Sequence, residues 1–285
     1  MNVLSLFDGM SGARIALDRA GIKYTNYFTS EVDKYAIQVS EKNYPDNIQL
    51  GDVTKWKEWG LNGTKIDLLI AGFPCQSWSF SGKQKGLQDE RGQLALVLVD
   101  IFKNLKKNNP DMKFLFENVK MKKENVKMLS ELFGVDPIEI NSSLLSAQNR
   151  KRLYWTNIVG LEHPEDKGIM LKDVLECGVV DRDKSYCLDA NYYKGTNIEQ
   201  YIKKKRRQIV FTKKTTEEDK LIRKEHAMLD ECYNFRKLTP IECERLQNVP
   251  DNYTEGVSNT QRYKALGNGW TIDVIVHILK GKHHE

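Results

Sequence analysis

Cys75 is the residue whose surroundings most favour chemistry. The apolar run 66–71 is bounded by Gly72 and Pro74, which predicts a buried strand that brings the cysteine to its carboxyl end. Open α/β sheets place their reactive groups at that edge, and Pro74 fixes the backbone directly before the thiol. The competing interpretation is a small buried hydrophobic residue, which is the commoner fate of a free cysteine.

Glu117 ends the next strand that the pattern predicts, at 114–116. One helix, predicted over 94–105, separates this strand from the cysteine strand, so a right-handed crossover brings Glu117 to the same edge of the sheet as Cys75. A candidate nucleophilic thiol and a carboxylate then share one pocket. The alternative is that Glu117 caps a helix that begins near Lys123.

Two arginines, Arg150 and Arg152, precede the strand predicted over 153–158. If both lie on one strand, alternating arginines point to one face, where planar guanidinium groups can bind a phosphate or the carbonyl oxygen of a base. The alternative interpretation is a salt-bridged surface strand.

Three strand ends near the N-terminus carry groups suited to a nucleoside. The run 3–7 breaks into a small-residue turn that ends at Gly12 and then a helix, the arrangement that points backbone N–H groups at a cofactor. The strand predicted over 25–30 ends in Glu31, which can accept hydrogen bonds from ribose hydroxyls, and the strand 48–50 leads to Asp52. Taken singly, either acid is better explained as a helix cap or a surface residue, but three successive strand ends with a Gly turn, an acid and another acid favour a nucleoside pocket.

The composition is that of an ordinary soluble protein, with 285 residues, 40% hydrophobic and 29% charged. No run is long enough for a membrane span, and the chain opens on a strand-like segment rather than a signal peptide, so we expect a cytoplasmic location and no membrane partner. The five cysteines are scattered, which indicates neither a zinc site nor a disulfide framework.

The region from about 160 to 234 has weak periodicity and more charge, which predicts a separate small domain or large insertion. It contains a basic run, Lys203, Lys204, Lys205, Arg206 and Arg207, for which a solvated face and a phosphate-binding surface are both open interpretations. Beyond it, Thr239, Pro240 and Glu242 predict a capping box, and 271–279 predicts a last apolar helix that Gly281 ends.

Taken in order, these segments resemble the C5-cytosine DNA methyltransferases. The resemblance covers about residues 1–157 and 236–281, and the complete ordered series is much more specific than any one motif. Its motifs are Phe7-Asp8-Gly9 to Gly12, Glu31, Gly51-Asp52, Gly72 to Gln76, Phe116 to Val119, Gln148-x-Arg150-x-Arg152, 236–247 and 263–270.

The resemblance implies an α/β fold: a Rossmann-like S-adenosylmethionine-dependent methyltransferase domain with a smaller target-recognition domain. We expect the catalytic domain at 1–157, completed by a C-terminal helix within 262–285, and the target-recognition domain at 158–261. The cofactor would be S-adenosylmethionine, released as S-adenosylhomocysteine, and we expect no metal. The residues implied to contact the cofactor are Phe7, Gly9, Ser11, Gly12, Glu31, Val32, Asp52, Val53, Gly72, Pro74, Leu94 and Asn268.

The resemblance also implies roles in catalysis. The thiolate of Cys75 adds to C6 of cytosine and turns the ring into an enamine that accepts the methyl group at C5. Glu117, near N3 and the exocyclic amine, favours that addition by hydrogen bonding or proton donation. Arg152 binds the cytosine O2, and Arg150 positions the catalytic loop and favours the thiolate.

The implied partner is double-stranded DNA with a short target sequence, from which the cytosine is flipped into the pocket. Gln76 and Ser81 belong to a loop, 76–91, that closes over the base, with Ser81 entering the gap in the duplex. The basic run then becomes a candidate for phosphate contacts. We expect a monomer, with a cognate restriction endonuclease as a possible partner.

Two departures from the family's pattern concern the cofactor pocket. Val32 stands where many members carry an aromatic residue that stacks on adenine. Asn268 is followed by Gly269 and Trp270, where many bacterial members have Asn-Ser.

Two other functions are open. One is a tRNA cytosine methyltransferase with the same fold. The other is a non-catalytic DNA-binding regulator, and this alternative is disfavoured by the intact set Cys75, Glu117, Arg150 and Arg152.

Overall fold

A computed structural model describes residues 1–61, 63–74, 90–212 and 234–281, with the side chains of residues 90 and 91 left out. Cys75, Gln76 and Ser81 therefore lie outside the described residues. Among the helices within those ranges, none has the length and apolar character needed to cross a bilayer.

In the described residues, seven strands form one sheet in the order β3-β2-β1-β4-β5-β7-β6. Neighbouring pairs run parallel except for the two pairs that β7 makes, with β5 and with β6, which are antiparallel. The strands are β1 Asn2–Leu6, β2 Asn26–Ser30, β3 Ile48–Gln49, β4 Leu68–Gly72, β5 Lys113–Val119, β6 Ile138–Asn141 and β7 Lys151–Thr156.

The central strands are apolar because helices cover both faces of a parallel sheet. In β4 the residues 68–71 are all buried, which is why the sequence pattern there is a continuous apolar run rather than an alternating one. Phe102 packs edge to face against Phe114, Phe116 and Phe133, and Phe133 packs edge to face against Trp155, all within one core cluster. The helices are α1 Gly12–Ala20, α2 Lys34–Asn43, α3 Glu90–Asn108, α4 Lys123–Phe133 and α8 Ile272–Lys280.

The order of the strands fixes where a ligand can bind. From β1 the chain continues outward to β2 and β3, whereas β4, on the other side of β1, is followed by β5. Ligands of open α/β sheets bind at such a reversal, outside the carboxyl ends of the strands. The carboxyl ends of β1 and β4 are thus the expected binding crevice.

The chain divides into two compact units. The first comprises Met1–Asn141, Lys151–Pro164 and Ile272–Glu285, and the second comprises Ser142–Arg150 and Glu165–Thr271. The sheet and its helices belong to the first unit. The assignment of one unit to catalysis and the other to target recognition, with boundaries at 157 and 261, stays a prediction.

The second unit has short elements joined by irregular segments: α5 Ile198–Lys204, β8 Ile209–Thr212, β9 Asn234–Lys237, α6 Pro240–Leu246 and α7 Asn259–Asn268. The predicted capping box at the start of α6 is confirmed, since Thr239 accepts a hydrogen bond from the Glu242 N–H and the Glu242 carboxylate accepts the Thr239 N–H. The predicted last helix is also confirmed as α8, which ends directly before Gly281.

Candidate active site

Glu117 lies within β5, where it pairs with Gly72 of β4 on one side and Tyr154 of β7 on the other. The alternative that it caps a helix is wrong, because Lys122 occupies the N-cap of α4 and β5 continues to Val119. The register with Gly72 confirms that the carboxylate lies at the end of the strand that leads to Cys75.

An ion pair holds this carboxylate. Arg152, near the start of β7, contacts Glu117 with its Nε 2.9 Å from Oε1, and the two side chains are only 14% and 10% exposed. The arginine also donates a hydrogen bond from Nη1 to the carbonyl oxygen of Lys151. Because β7 runs antiparallel, its first residues lie at the carboxyl end of β5, which brings the guanidinium to the edge where the carboxylate is.

Asn118 is a site residue that the sequence analysis missed. Its side chain is buried, and Nδ2 donates a hydrogen bond of 3.1 Å to the carbonyl oxygen of Phe73, while Oδ1 accepts the N–H of Val119. The amide therefore fixes the backbone that precedes Pro74 and Cys75. The signal available in the sequence was a polar amide directly after Glu117 in an otherwise apolar strand.

The turn after β1 takes an unusual backbone path. Phe7, Gly9 and Ser11 all have positive φ values of 55°, 60° and 62°. The turn is tied to the neighbouring strand, because the N–H of Asp8 donates to the carbonyl oxygen of Ser30. Non-glycine residues with positive φ are uncommon and concentrate at functional sites.

Ser11 occupies the N-cap of α1 but does not cap it. Its hydroxyl is buried and bonds to the carboxylate of Asp8 at 2.7 Å and the hydroxyl of Ser40 at 2.6 Å, and its N–H donates to the Asp8 carbonyl oxygen. The first N–H groups of α1, which begins at Gly12, therefore lack a side-chain cap. Such a helix N-terminus favours a negatively charged ligand group.

Glu31 holds the loop between β2 and α2. Its Oε2 accepts the N–H of Gly9 at 2.8 Å, and its Oε1 accepts the N–H groups of Val32 at 2.7 Å and Asp33 at 2.8 Å. A carboxylate has about four acceptor positions, so these three bonds leave room for a further donor. Asp33, rather than Glu31, is the N-cap of α2.

Asp52 is the N-cap of a short 3-10 helix, Val53–Glu58, as the alternative interpretation held. Its Oδ1 accepts the N–H of Thr54 at 2.9 Å and the Thr54 hydroxyl at 2.8 Å, and these hydrogen bonds lower the pKa of the Asp52 carboxyl below its ordinary value. Within the described ranges, no hydrogen bond engages Oδ2. Val53 is buried and Val32 is 70% exposed, so apolar surface of Val32 is open to a ligand.

The other predicted cofactor residues fall in two places. Gly72 ends β4, Pro74 is half-buried just beyond it, and Leu94 lies on α3 against the core cluster that contains Trp155. Asn268 is exposed at the end of α7 in the second unit, followed by the buried Trp270. Contacts of all twelve residues with a cofactor stay predictions.

Arg150 differs from Arg152 in its surroundings. The prediction that both lie on one strand is wrong, because β7 begins at Lys151 and Arg150 belongs to the second unit. Its guanidinium is buried and donates to the carbonyl oxygens of Leu188 at 2.8 Å, Gly269 at 2.8 Å and Gly267 at 3.3 Å. It thus holds together the backbone on either side of Asn268, and its effect on the catalytic thiol stays a prediction.

The basic run begins at the C-terminal end of α5. Residues 203–206 are exposed, and Lys205 has a φ of 47°. Arg207 is half-buried and donates from Nη1 to the carbonyl oxygen of Gly195 at 2.8 Å, so this side chain has a structural role as well. In the parts of the chain that the structure covers, no group of three or more His, Cys, Asp or Glu residues is placed to hold a metal ion.

Comparison with known families decides the identity. A model of the family described as C-5 cytosine-specific DNA methylase matches residues 1–167 and 175–283. The chain belongs to this family. As a member it is a DNA methyltransferase that modifies cytosine, and the resemblance inferred from the ordered motifs is confirmed.

Type II methyltransferases of bacteria are among the relatives of this methylase. It is 30% identical to the type II methyltransferase M1.ScrFI of Lactococcus lactis subsp. cremoris, over 96% of this chain and 75% of the relative. It is 29% identical to M.HhaI of Haemophilus parahaemolyticus, over 98% and 93%, and 30% identical to M.HpaII of Haemophilus parainfluenzae, over 95% and 86%.

Solved structures confirm the Rossmann-like fold of the methylase. The Entamoeba histolytica methyltransferase EhMeth superposes with a TM-score of 0.72 at 18% identity, covering 98% of this chain and 97% of that chain. Spodoptera frugiperda DNMT2 superposes with a TM-score of 0.67 at 21% identity, covering 98% of each chain.

Proposed function

We propose that this methylase transfers the methyl group of S-adenosylmethionine to C5 of a cytosine flipped out of a short duplex DNA target. The observation that carries the proposal is the ion pair between Glu117 and Arg152. Glu117 lies beside Gly72, the last residue of β4, and the chain continues from there to Cys75. A carboxyl and a guanidinium held side by side can bind the polar edge of one base.

The residues at the end of β1 fit the proposed cofactor. S-adenosylmethionine supplies an electrophilic methyl group on a sulfonium. The uncapped N-terminus of α1 suits its carboxylate, and Glu31 retains an acceptor position for a ribose hydroxyl. Asp52 Oδ2 and the exposed Val32 suit the amine and the apolar face of adenine.

The proposed chemistry begins at C6 of the cytosine. The Cys75 thiolate forms a bond to C6, and the electrons of the C5–C6 double bond move towards N3, where Glu117 donates a proton or a hydrogen bond. The enamine so formed attacks the methyl group through C5, the bond between that methyl group and the sulfonium sulfur breaks, and S-adenosylhomocysteine would leave as the thioether. A base then takes the C5 proton, the C5–C6 double bond returns as the thiolate leaves C6, and N3 gives any proton it received back to Glu117.

Arg152 and Asn118 support these steps from opposite sides. Arg152 is proposed to bind the cytosine O2, and its ion pair with Glu117 keeps both groups directed at the same base. Asn118, through the Phe73 carbonyl, limits the positions open to the backbone before Cys75. A misplacement of about 1 Å at a reacting atom can reduce a rate by about 10²-fold, so this restraint bears directly on catalysis.

The DNA contacts are proposed from the resemblance and from charge. Gln76 and Ser81, which lie outside the described residues, are proposed to enter the duplex as the base leaves it. Exposed cations at 203–206 of the second unit are proposed to contact phosphates. A monomer that acts in the cytoplasm, with a cognate endonuclease as in type II systems, completes the proposal.

The test is methyl transfer from labelled S-adenosylmethionine to duplex DNA, with tRNA as competitor, followed by mapping of the modified positions. Label at cytosine C5 within one short motif is the expected result. Transfer to tRNA with none to DNA would replace the proposed substrate, and transfer to neither would leave only a DNA-binding protein.

The variant Cys75→Ser tests the assigned nucleophile. Methyl transfer is expected to disappear while DNA binding is retained, because the hydroxyl is a far weaker nucleophile than the thiolate. Cys177→Ser is the matched control, since Cys177 is an exposed cysteine of the second unit. Substantial turnover by Cys75→Ser would remove Cys75 from its role.

A further inference from the structure

A network of polar side chains lies behind the turn that follows β1. It connects Arg14 on α1, Asn47 before β3, Ser40 on α2, and Ser11 and Asp8 in the turn itself. We call these five residues the Arg14 network. All belong to the first unit, and all but Asn47, which is half-buried, are buried.

Arg14 is the fixed end of the network. Its guanidinium bonds to Asp46 through Nη2, to the hydroxyl of Tyr24 through Nε at 2.9 Å, and to Oδ1 of Asn47 through Nη1. Its central carbon also lies 4.5 Å from the centre of the Tyr44 ring. A guanidinium that bonds on three sides and stacks on an aromatic ring has a single orientation.

Asn47 links this fixed group to the turn. Its Oδ1 faces Arg14, which can only donate, so its Nδ2 must face the two serine hydroxyls. The observed distances agree, at 2.9 Å from Nδ2 to Ser11 Oγ and 2.8 Å to Ser40 Oγ. The side-chain amide therefore determines where the Ser11 hydroxyl lies.

The position of that hydroxyl matters because Ser11 occupies the N-cap of α1. Serine at an N-cap usually adopts extended backbone angles and bonds to the first turn of its own helix. Here Ser11 has a φ of 62°, and its hydroxyl bonds instead to Asp8, Ser40 and Asn47. The network thus holds a strained turn and keeps the helix N-terminus free of a side-chain cap.

We propose that Asn47 is a positioning residue for the methyl donor. It acts through Ser11, by holding the turn 7–12 in the conformation that presents the N-terminus of α1 to the donor. The inference rests on the proposed function, which puts S-adenosylmethionine at this turn, and it adds a residue that does not itself touch the donor.

The decisive variant is Asn47→Ala. We expect the Kd for S-adenosylhomocysteine, measured by titration calorimetry, and the KM for S-adenosylmethionine to rise at least fivefold. The KM for DNA and the kcat at saturating S-adenosylmethionine should stay within twofold of the unaltered protein, because the sheet edge that carries Glu117 is untouched. An unchanged Kd would overturn the inference.

Asn43→Ala is the matched control. Asn43 ends α2 and donates from Nδ2 to the carbonyl oxygen of Val39 in its own helix, at 2.8 Å. Its loss should lower Tm as any local hydrogen bond does, with no change in the Kd. If both variants raised the Kd equally, a general loss of stability would account for the effect and the positioning role would be rejected.

A double variant separates positioning from packing. If Asn47 acts through the Ser11 hydroxyl, Asn47→Ala should raise the Kd much less in a Ser11→Ala background than alone. If the two substitutions raised the Kd by fully additive free energies, Asn47 would not act through the Ser11 hydroxyl. Should Asn47→Ala fail to fold, Ser40→Ala removes one hydroxyl of the same network, and a twofold or greater rise in Kd is then expected.

The outcomes also distinguish this inference from the proposed function. If the unaltered protein bound neither S-adenosylmethionine nor its product, the proposed function would fail first. If the unaltered protein bound them and Asn47→Ala bound them equally well, only the role of Asn47 would be lost.

Discussion

Glu117 shows how a single residue can be both held in place and available for chemistry. Its neighbours on two strands, Gly72 of β4 and Tyr154 of β7, are fixed by the register of the sheet, and its carboxylate is paired with Arg152 at 2.9 Å. A buried ion pair is weak support for stability, because desolvation offsets most of the attraction. The ion pair between Glu117 and Arg152 is therefore better explained by a role in binding the base than by a contribution to stability.

The variant Glu117→Gln tests that reason. Glutamine keeps the shape and the acceptor for Arg152 but cannot donate a carboxylic proton, so we expect kcat to fall by about 10²- to 10⁴-fold. Binding of S-adenosylhomocysteine should be unchanged. Single-turnover methyl transfer measures the effect, and Glu139→Gln, a partly exposed acid paired with Lys120, is the control. A rate within threefold of the unaltered protein would exclude Glu117 from the proton transfer.

Asp8 predicts a dependence of stability on pH. Burial raises the pKa of its carboxyl above the ordinary value of 3.8, despite hydrogen bonds from Ser11 and Tyr27 that act in the other direction. An acid whose pKa is raised by folding stabilises the protein below its unfolded pKa, and this stabilisation is lost as pH rises through the folded pKa.

The free energy of unfolding of Asp8→Asn, relative to the unaltered protein, should therefore increase as pH rises above about 4. Urea unfolding of both proteins at several pH values measures this difference in free energy. The contributions of the titratable groups that both proteins share cancel in the difference. A difference that stays constant or decreases with pH would show that the burial of Asp8 does not govern its ionisation.

The residues of the site were predictable to different degrees. Glu117 is predicted at this edge because the apolar run 114–116 indicates a strand there, although β5 continues past Glu117 to Val119. Asn118 was missed because its role depends on a hydrogen bond to Phe73 on the neighbouring strand. The sequence could not show that Arg150 belongs to the second unit, because its partners are backbone carbonyls more than thirty positions away.

Two helix starts in the second unit differ in how their N-cap residues bond, and the Thr239 hydroxyl also donates to Glu176. Thr239 caps α6 with a complete capping box, whereas Ser258 stands at the N-cap of α7 without a side-chain cap. Thr239→Ala is expected to lower the free energy of unfolding by about 1 kcal/mol, within a range of about 0.5–2.

Ser258→Ala should change the free energy of unfolding by less than about 0.5 kcal/mol, as expected of surface positions that lose no hydrogen bond. Urea unfolding monitored by far-UV circular dichroism measures both variants. Equal effects of the two substitutions would mean that the capping box contributes nothing specific to the stability of α6.

Local signals explain which elements the sequence predicted. The capping box and the apolar run of β4 depend on neighbouring residues, so both were found. The antiparallel placement of β7 between β5 and β6 was not found, because it depends on pairings such as Glu117 with Tyr154 that leave no periodic trace. The irregular second unit depends on distant bonds, such as Lys184 Nζ to the carbonyl oxygens of Ser143 and Ile169.

At the scale of the whole molecule, the formal charge of +5 is too small to indicate nucleic acid by itself. Its distribution is more informative, because four consecutive exposed cations occupy 203–206. Phosphate contacts release counterions, so each one makes the affinity for DNA fall more steeply with salt. The number of such contacts can therefore be measured from the slope.

Arg206→Ala tests whether this run binds DNA. We expect weaker binding to all duplexes, an unchanged target sequence and a salt slope reduced by about 1, as for the loss of one phosphate contact. Fluorescence anisotropy at several salt concentrations measures the slope. Lys23→Ala is the control, since Lys23 is an exposed cation that follows α1 at the amino end of the sheet, away from the site. A changed target sequence would make Arg206 a base-reading residue. An unchanged salt slope would mean that Arg206 contacts no phosphate and that the basic run is an ordinary solvated face.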